Sequence, residues 1–362
     1  MPDANPFADA LLAWYDTVAA ALPWRAEPPN PYHIWLSEIM LQQTQVQTVI
    51  PYYTRFLQAY PTISDLAEAP LDDVLKLWEG LGYYSRARNL HQTARIVAFE
   101  HGGMFPQTVD GLLALPGIGR YTAGAIASIA FGVQAPVLDG NVIRVFARMT
   151  DLTDDVTETS TRNALWSLAE SWMPEARSGD YNQALMELGR TICKPRNPLC
   201  SECPIRAHCS AYADGTQNER PVKKRKAPTP HFDVAAAIIR DEADQLLIAQ
   251  RPVDGLLGGL WEFPGGKRED GETLPQALRR ELREELAIDV EVGDLFVTVK
   301  HGFTHFKITL HAYECRITTG SPQPIQAQAV AWVSEDELAR YSFGKADREI
   351  IAALARRKNM LF

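Results

Sequence analysis

Hydrophobic positions recur at helical spacing through residues 7–220. Two groups repeat every three or four positions, as one buried helix face requires: Leu11, Leu12, Trp14, Tyr15 and Val18, then Ile34, Trp35, Ile39, Met40 and Val46. Prolines divide the stretch into segments of helix length: Pro23, Pro28, Pro29, Pro51, Pro61, Pro70, Pro106 and Pro116. The pattern predicts an all-α domain over residues 1–220.

The pattern changes after residue 220. Residues 221–230 are basic and rich in proline with no periodicity, which is typical of a linker. Residues 231–362 then alternate short apolar runs with two charged helical segments. The predicted strands are Val234–Ile239, Leu246–Ala249, Leu295–Val299 and Phe306–Ala312, and the predicted helices are 273–286 and 347–356, with a glycine loop at Gly265 and Gly266. This half is predicted to be a smaller α+β domain.

Composition is that of an ordinary globular protein, with 362 residues, 46% hydrophobic and 22% charged. The acidic N-terminus lacks the basic region of a secretory signal, and no apolar run reaches the roughly 18–20 residues of a membrane span. We therefore expect a cytoplasmic protein with no membrane association. The net charge of −9 does not indicate a nucleic-acid binder, so any DNA contact must come from local patches.

Four of the five cysteines lie within 17 residues. Their spacing is C-x6-C-x2-C-x5-C, formed by Cys193, Cys200, Cys203 and Cys209. Zinc fingers and ribbons usually bring two close pairs together across a longer loop, whereas this spacing suits one loop around an iron–sulfur cube. A zinc site and a structural or disulfide role remain alternatives.

A glycine turn precedes a helix start at Leu115-Pro-Gly-Ile-Gly119. Gly117 and Gly119 leave backbone N–H groups free at a helix N-terminus, which suits a DNA phosphate and binds it without regard to base sequence. The alternative is an ordinary connection between two helices.

Two carboxylates have contrasting sequence surroundings. Glu38 is flanked by apolar residues, so burial is expected to raise its pKa and favour the protonated form, unless it is exposed or ion-paired. Asp139 and Asn141 stand where a later helix begins, so Asp139 is expected to cap that helix and to have a lowered pKa. One protonated acid and one charged carboxylate are the pair that glycosidic cleavage uses.

These features together resemble the endonuclease III superfamily of DNA glycosylases, and most closely its MutY-type adenine glycosylases. The motifs that carry the resemblance are Trp24-Arg25, Ser37-Glu-Ile-Met-Leu-Gln-Gln-Thr44, Gly80-Leu-Gly-Tyr-Tyr-Ser-Arg86, Leu138-Asp-Gly-Asn141 and the cysteine loop at 193–209. The resemblance implies an all-α helix-hairpin-helix glycosylase domain with a [4Fe-4S] cluster. It also implies a substrate, double-stranded DNA with adenine opposite 8-oxoguanine or G. We expect a monomer associated with the nucleoid.

The resemblance also assigns roles. Glu38 would protonate N7 of a flipped adenine and later activate water, while Asp139 would stabilise the sugar cation, with Tyr121 and Asn141 positioning both. Arg25 would line the adenine pocket. Gln43 and Tyr83 would be wedge residues, which insert beside the lesion, although a plain core or surface role is the alternative.

One position separates two branches of the superfamily. The bifunctional enzymes have a Schiff-base lysine directly after the hairpin's Gly-x-Gly-Arg, and this chain has Tyr121 there. Base excision without an efficient strand-cleaving step is therefore expected. Thymine excision from mismatches remains an alternative, since base specificity is not visible in the sequence.

Residues 231–362 resemble the Nudix fold, with a pattern running from Gly266 through Glu272 and Arg280 to Ile288. Ala287 stands where the Nudix pattern has glycine. Carboxylates at i, i+3 and i+4 could bind Mg2+: Glu281, Glu284 and Glu285. A nucleotide hydrolase is thus one alternative, and a solvated helix paired with arginines is another. Recognition of 8-oxoguanine is favoured because Phe303, Thr304 and His305 resemble the Phe-Ser-His loop of MutY-type proteins.

Overall fold

Contacts divide the chain into two compact units. The structure is a computed structural model that describes residue 5, residues 7–224 and residues 229–360. One unit is Met1–Glu68 with Asn89–Lys226, and the other is Ala69–Arg88 with Ala227–Phe362. Residues 225–228 of the predicted linker lie outside the described residues. Among those described, no helix combines the length and the apolar character needed to span a membrane.

The division departs from the sequence-based boundaries at residues 69–88. This segment belongs to the second unit because its polar side chains bond the C-terminal backbone. The carboxylate of Glu79 accepts from the Phe343 N–H at 3.0 Å, and the Lys76 ammonium donates to the Tyr341 carbonyl at 2.8 Å. Such long-range partners leave no trace in local periodicity.

The helices follow the predicted pattern, and strands are confined to the C-terminal part of the described chain. The helices before residue 225 are α1 Ala8–Val18, α2 Pro31–Leu41, α3 Val46–Ala59, α4 Ile63–Glu68, α5 Leu71–Trp78, α6 Ser85–Phe99, α7 Val109–Leu113, α8 Arg120–Phe131, α9 Gly140–Met149, α10 Thr159–Ser171, α11 Ser178–Thr191 and α12 Ser210–Ala213. Pro31 begins α2 after the cap residue Asn30, as a helix start requires. Pro51 was expected between helices, but it lies inside α3. Proline has no N–H to donate to the carbonyl one turn earlier. Pro51 lies on an exposed face of the helix, where water can donate to that carbonyl instead.

The core of the first unit surrounds α9 and α11. Eight of the ten residues of α9 are buried, from Val142 to Met149, and α1, α10 and α11 pack around them. Gly189 of α11 permits a close approach, since a Cβ there would meet the Asn141 side chain at 2.6 Å. This packing fixes the position of the residues that begin α9.

The second unit contains two sheets. Its strands are β1 His231–Ile239, β2 Leu246–Gln250, β3 Trp261–Glu262, β4 Gly265–Lys267, β5 Asp289–Gly302, β6 Lys307–Thr319 and β7 Ala329–Val333. The sheet orders are β4-β1-β6-β5 and β3-β2-β7, and β1 pairs with β6 in parallel while the other pairs are antiparallel. Helix α13, Leu274–Leu286, packs its apolar side on β1, and α14, Lys345–Met360, lies near β5.

Two parts of the sequence-based prediction for this unit needed correction. Gly265 and Gly266 were expected in a loop, but they begin β4 beside β1. Glycine is required at 265 because a Cβ would lie 2.2 Å from the Ala235 carbonyl oxygen. Strand β7 was missed because it follows a stretch with no alternating pattern and gains its order from pairing with β2.

Candidate active site and iron–sulfur loop

An open cavity of about 1470 Å3 lies within the first unit. Segments that are far apart in the chain form its wall, including the ends of α1 and α2, the first turns of α8 and α9, and α11. It brings together six predicted site residues: Arg25, Glu38, Gln43, Tyr121, Asp139 and Asn141. The sequence alone did not show that Glu38 and Asp139 share a site.

Glu38 has the environment expected of a general acid. It lies on α2 with its side chain buried at 6% exposure. Burial raises its pKa from 4.5 to about 7, although the Tyr121 hydroxyl, which donates to Oε2 at 2.7 Å, favours the ionised form. The nearby charge of Asp139 raises the pKa further. Near neutral pH a large fraction of Glu38 therefore carries a proton.

Asp139 caps α9 as expected, but the expected lowering of its pKa is wrong. Its Oδ1 accepts from the backbone N–H groups of Asn141 at 2.9 Å and Val142 at 2.7 Å. Those bonds favour the ionised carboxylate, as does the Asn141 amide at 2.8 Å from Oδ2. Burial opposes them and outweighs them, so the pKa of Asp139 is raised.

Arg144 ties the start of α9 to the cysteine loop, and it was missed at the sequence level. Its guanidinium donates to Asn141 Oδ1 at 2.8 Å, to the Gly189 carbonyl at 2.7 Å and to the Cys193 carbonyl at 2.6 Å. A planar guanidinium can serve several acceptors at once. The only sequence signal was an arginine in an otherwise apolar helix segment.

Arg25 faces the cavity in a polar setting that includes two other residues missed at the sequence level. Its Nε donates to Gln183 Oε1 at 3.0 Å, and its Nη2 lies 3.7 Å from Glu187 Oε2. The guanidinium also lies over the Tyr15 ring, 5.5 Å from the centroid. These contacts fix Arg25 at the wall of the cavity. Gln183 and Glu187 lie at i and i+4 on α11. The one sequence signal for them was a pair of polar residues on the same face of a helix that is otherwise buried.

The glycine turn and Gln43 have unusual backbone conformations. Gly117 has a φ of 73°, and a Cβ there would meet Asn89 at 2.7 Å, so glycine is required. Gly119 caps α8 without a side-chain hydrogen bond, which leaves N–H groups available to a phosphate.

Gln43 has a φ of 57°, which is uncommon outside glycine and often marks a functional position.

The four clustered cysteines line one small cavity, together with Arg148, Arg206 and Gln217. Across the described residues, no group of three or more His, Cys, Asp or Glu side chains is placed to bind one metal ion. Arg148 donates from Nη1 to Cys193 Sγ at 3.2 Å and to the Lys194 carbonyl at 2.7 Å. Four thiols around a common space with a cation beside them fit an iron–sulfur cluster.

In the second unit, the predicted recognition residues form a hairpin tip. Phe303 N–H donates to the Phe306 carbonyl at 2.8 Å, so Thr304 and His305 occupy the turn between β5 and β6. The two phenylalanine rings stack with centroids 4.6 Å apart. The hydroxyls of Tyr83 and Thr304 lie 2.8 Å apart, which joins one predicted wedge residue to the hairpin tip.

Arg280 partners the Glu272 carboxylate, which precedes α13, and two of the carboxylates on α13. Its guanidinium contacts Glu272 Oε1 at 2.8 Å, Glu281 Oε1 at 2.9 Å and Glu284 Oε2 at 3.3 Å. Burial raises the pKa of Glu281, and it raises the pKa of Glu285 to about 7. Arg280 thus partners part of the acidic face, whereas Arg283 pairs with Asp289 and the partly buried Glu285 does not fit a fully solvated helix.

Family profiles match three parts of the chain. Residues 36–171 match the HhH-GPD superfamily base excision DNA repair proteins, and residues 235–353 match the NUDIX domain. Residues 193–209 match the iron–sulfur binding domain of endonuclease III. The last match confirms the prediction of a [4Fe-4S] cofactor over the zinc and disulfide alternatives.

Full-length relatives are also similar. An adenine DNA glycosylase of Homo sapiens is 37% identical over 408 residues, covering 96% of this chain and 74% of the human protein. One from Arabidopsis thaliana is 35% identical, covering 94% of this chain and 63% of the plant protein. The solved structure of a thermostable thymine-DNA glycosylase is 31% identical with a TM-score of 0.52, covering 57% of this chain and 95% of that one.

Proposed function

The chain belongs to the adenine DNA glycosylase family, and from that membership we propose that it releases adenine paired with 8-oxoguanine or G in double-stranded DNA. It is a DNA glycosylase of base excision repair that hydrolyses an N-glycosidic bond. One observation supports the proposed site most strongly: a buried Glu38 with a near-neutral pKa shares a cavity with Asp139. We further propose that it acts at the nucleoid, where its substrate would be chromosomal DNA.

Glu38 acts as the general acid. A flipped adenine in the cavity presents N7 to the protonated carboxyl, and protonation makes the base a better leaving group. The Tyr121 hydroxyl, 2.7 Å from Oε2, holds the carboxyl in place. After the base leaves, the ionised Glu38 takes a proton from the attacking water.

Asp139 stabilises the positive charge that develops on the sugar as the bond breaks. Its two backbone N–H partners and the Asn141 amide hold the carboxylate in one orientation. A fixed negative charge in a partly buried site stabilises an oxocarbenium-like transition state more than a mobile one would. A transient covalent adduct to Asp139 is compatible with this placement.

The enzyme is monofunctional. Strand cleavage by the bifunctional route needs an amine that forms a Schiff base, and Tyr121 occupies that position with its hydroxyl bonded to Glu38. Cys193, Cys200, Cys203 and Cys209 would hold the [4Fe-4S] cluster, and the bound cluster would brace the loop that they form. Lys194, Arg196 and Arg206 in and beside that loop supply positive charge for the DNA backbone.

Recognition of 8-oxoguanine is proposed for the second unit. Phe303 offers an aromatic face, and Thr304 and His305 offer polar groups at an exposed hairpin tip. Threonine retains the hydroxyl of the family's serine and adds a methyl group, which restricts the directions from which the lesion base can reach that hydroxyl. The wedge roles of Gln43 and Tyr83 belong to the same proposal.

The test is single-turnover base release from three duplexes that carry A opposite 8-oxoguanine, A opposite T, and T opposite G. We expect rapid adenine loss from the first only, with strand breaks appearing after alkali. Breaks without alkali would contradict the monofunctional assignment. Release of thymine and not adenine, from protein with its cluster intact, would contradict the substrate assignment.

A further inference from the structure

The loop that presents Tyr83 has an unusual backbone. Gly80 has a φ of 101° and Gly82 a φ of 73°, while Tyr83 itself has a φ of 50°. A bulky residue with positive φ persists only where its surroundings hold it, and such residues cluster at functional positions. The conformation of Tyr83 therefore requires a specific support.

Arg86 supplies that support from the first turn of α6. Its side chain is buried, with 8% exposure, and Nη2 donates to the carbonyls of Leu81 at 3.3 Å and Gly82 at 3.2 Å. The guanidinium carbon lies over two rings, 5.3 Å from the Trp78 centroid and 5.4 Å from that of Tyr83. The Trp78 indole N–H adds a bond to the Gly82 carbonyl at 3.1 Å.

Tyr83, the residue that Arg86 supports, is open to solvent. Tyr83 is 41% exposed, and its hydroxyl meets that of Thr304 at 2.8 Å. The Arg86 guanidinium thus fixes both the backbone before Tyr83 and the ring itself. Because the hydroxyl reaches the hairpin tip, the position of Tyr83 also sets what Thr304 can contact.

We infer that Arg86 is a positioning residue that sets the joint placement of Tyr83 and Thr304, and through them the preference for 8-oxoguanine over guanine opposite adenine. This inference rests on the proposed function. Arginine is needed because a planar guanidinium can bond two carbonyls while making cation–π contacts with two rings, whereas the compact ammonium of lysine cannot do both.

The test compares Arg86→Lys with a matched control on the same helix. Arg95 also lies over a ring, that of Phe99 at 5.4 Å, and donates to the Ala67 carbonyl at 3.3 Å. The measured quantity is the single-turnover rate for A opposite 8-oxoguanine divided by that for A opposite guanine, each per active enzyme. A general loss of folded enzyme therefore leaves this ratio unchanged.

We expect Arg86→Lys to lower the ratio by about three- to tenfold and Arg95→Lys to leave it at the wild-type value. Adding Arg86→Lys to Tyr83→Ala is expected to cause no further fall, because Arg86 acts through Tyr83. An unchanged ratio in Arg86→Lys, an equal fall in the Arg95 control, or additive falls in the double variant would each overturn the inference.

A second measurement does not depend on activity. The protein is labelled with 3-fluorotyrosine, and the fluorine resonance of Tyr83, one of 12 tyrosines, is assigned by its loss in Tyr83→Phe. We expect this resonance to move in Arg86→Lys and in Arg86→Gln, but not in Arg95→Lys. An unmoved resonance would overturn the inference. If the wild type released no adenine, the proposed function would fail, and this comparison would still decide the role of Arg86.

Discussion

Substituting Glu38 by glutamine is expected to stabilise the protein while removing its activity. Burial raises the pKa of Glu38 from 4.5 to about 7. Each pKa unit corresponds to about 1.4 kcal/mol, so keeping this group ionised in the folded protein costs about 3 kcal/mol. Glutamine has nearly the same shape, retains an oxygen that can accept from the Tyr121 hydroxyl, and carries no charge.

The sign of the pH dependence follows from the raised pKa. Below about pH 4.5 both folded and unfolded chains hold the proton, and Glu38 causes no penalty. Between about pH 4.5 and pH 7 the unfolded chain ionises while folded Glu38 keeps its proton, so the folded protein loses stability relative to the unfolded chain, and the loss levels off above pH 7. The stability gain of Glu38→Gln should therefore be about 1 kcal/mol at pH 5 and about 3 kcal/mol at pH 8.

The measurement is urea unfolding of both proteins between pH 5 and pH 8, with Glu100→Gln as the matched control. Glu100 is exposed just beyond α6, so its substitution should change stability by less than about 0.5 kcal/mol at every pH. A gain for Glu38→Gln that does not grow with pH would refute the burial argument.

Activity provides the second half of the test. Removing a general acid typically slows a reaction by about 10²–10⁴-fold. For the wild type, the single-turnover rate should fall about tenfold per pH unit above pH 7, because only protonated Glu38 is competent. Adenine release by Glu38→Gln at the wild-type rate would show that another group supplies the proton.

Three further predictions concern other parts of the chain. Tyr121→Phe removes a hydrogen bond that favours ionised Glu38, so the alkaline limb of the pH–rate profile should move to higher pH; a downward shift would contradict this. Arg144→Lys should slow adenine release about tenfold or more and weaken iron retention, because lysine cannot bond the Asn141 and Cys193 acceptors together. A single-turnover assay and iron analysis measure the two effects. Ala287→Gly should raise the free energy of unfolding of the second unit by about 1 kcal/mol, since Ala287 has a φ of 55° at the end of α13; a urea titration showing a loss would contradict this.

The sequence predicted individual surroundings well where they depend on near neighbours. Glu38 is buried because its own helix is apolar around it, and Asp139 caps a helix because it stands where apolar periodicity begins. The direction of the Asp139 pKa could not be predicted. It depends on how far the folded chain buries the carboxyl, which is decided only by tertiary packing.

Contacts between distant segments were equally invisible. Residues 69–88 looked like one more helical segment of the first domain, yet they belong to the second unit through Glu79 and Lys76. The same assignment places Tyr83 and Thr304, 221 positions apart, within one unit. A motif identified each of them, but only folding shows that their hydroxyls meet.

Helix α9 connects two sites that the sequence presented as separate motifs. Asp139 caps its start, and Arg148 near its end contacts the sulfur of Cys193. Between them, Arg144 bonds both Asn141 and the Cys193 carbonyl. The orientation of the Asp139 carboxylate, the proposed catalytic group, thus depends on a helix that is bonded to the cysteine loop. A cluster bound by this loop would therefore affect the reaction rate even without chemistry on the substrate, because Arg144 and Arg148 link the loop to the helix that orients Asp139.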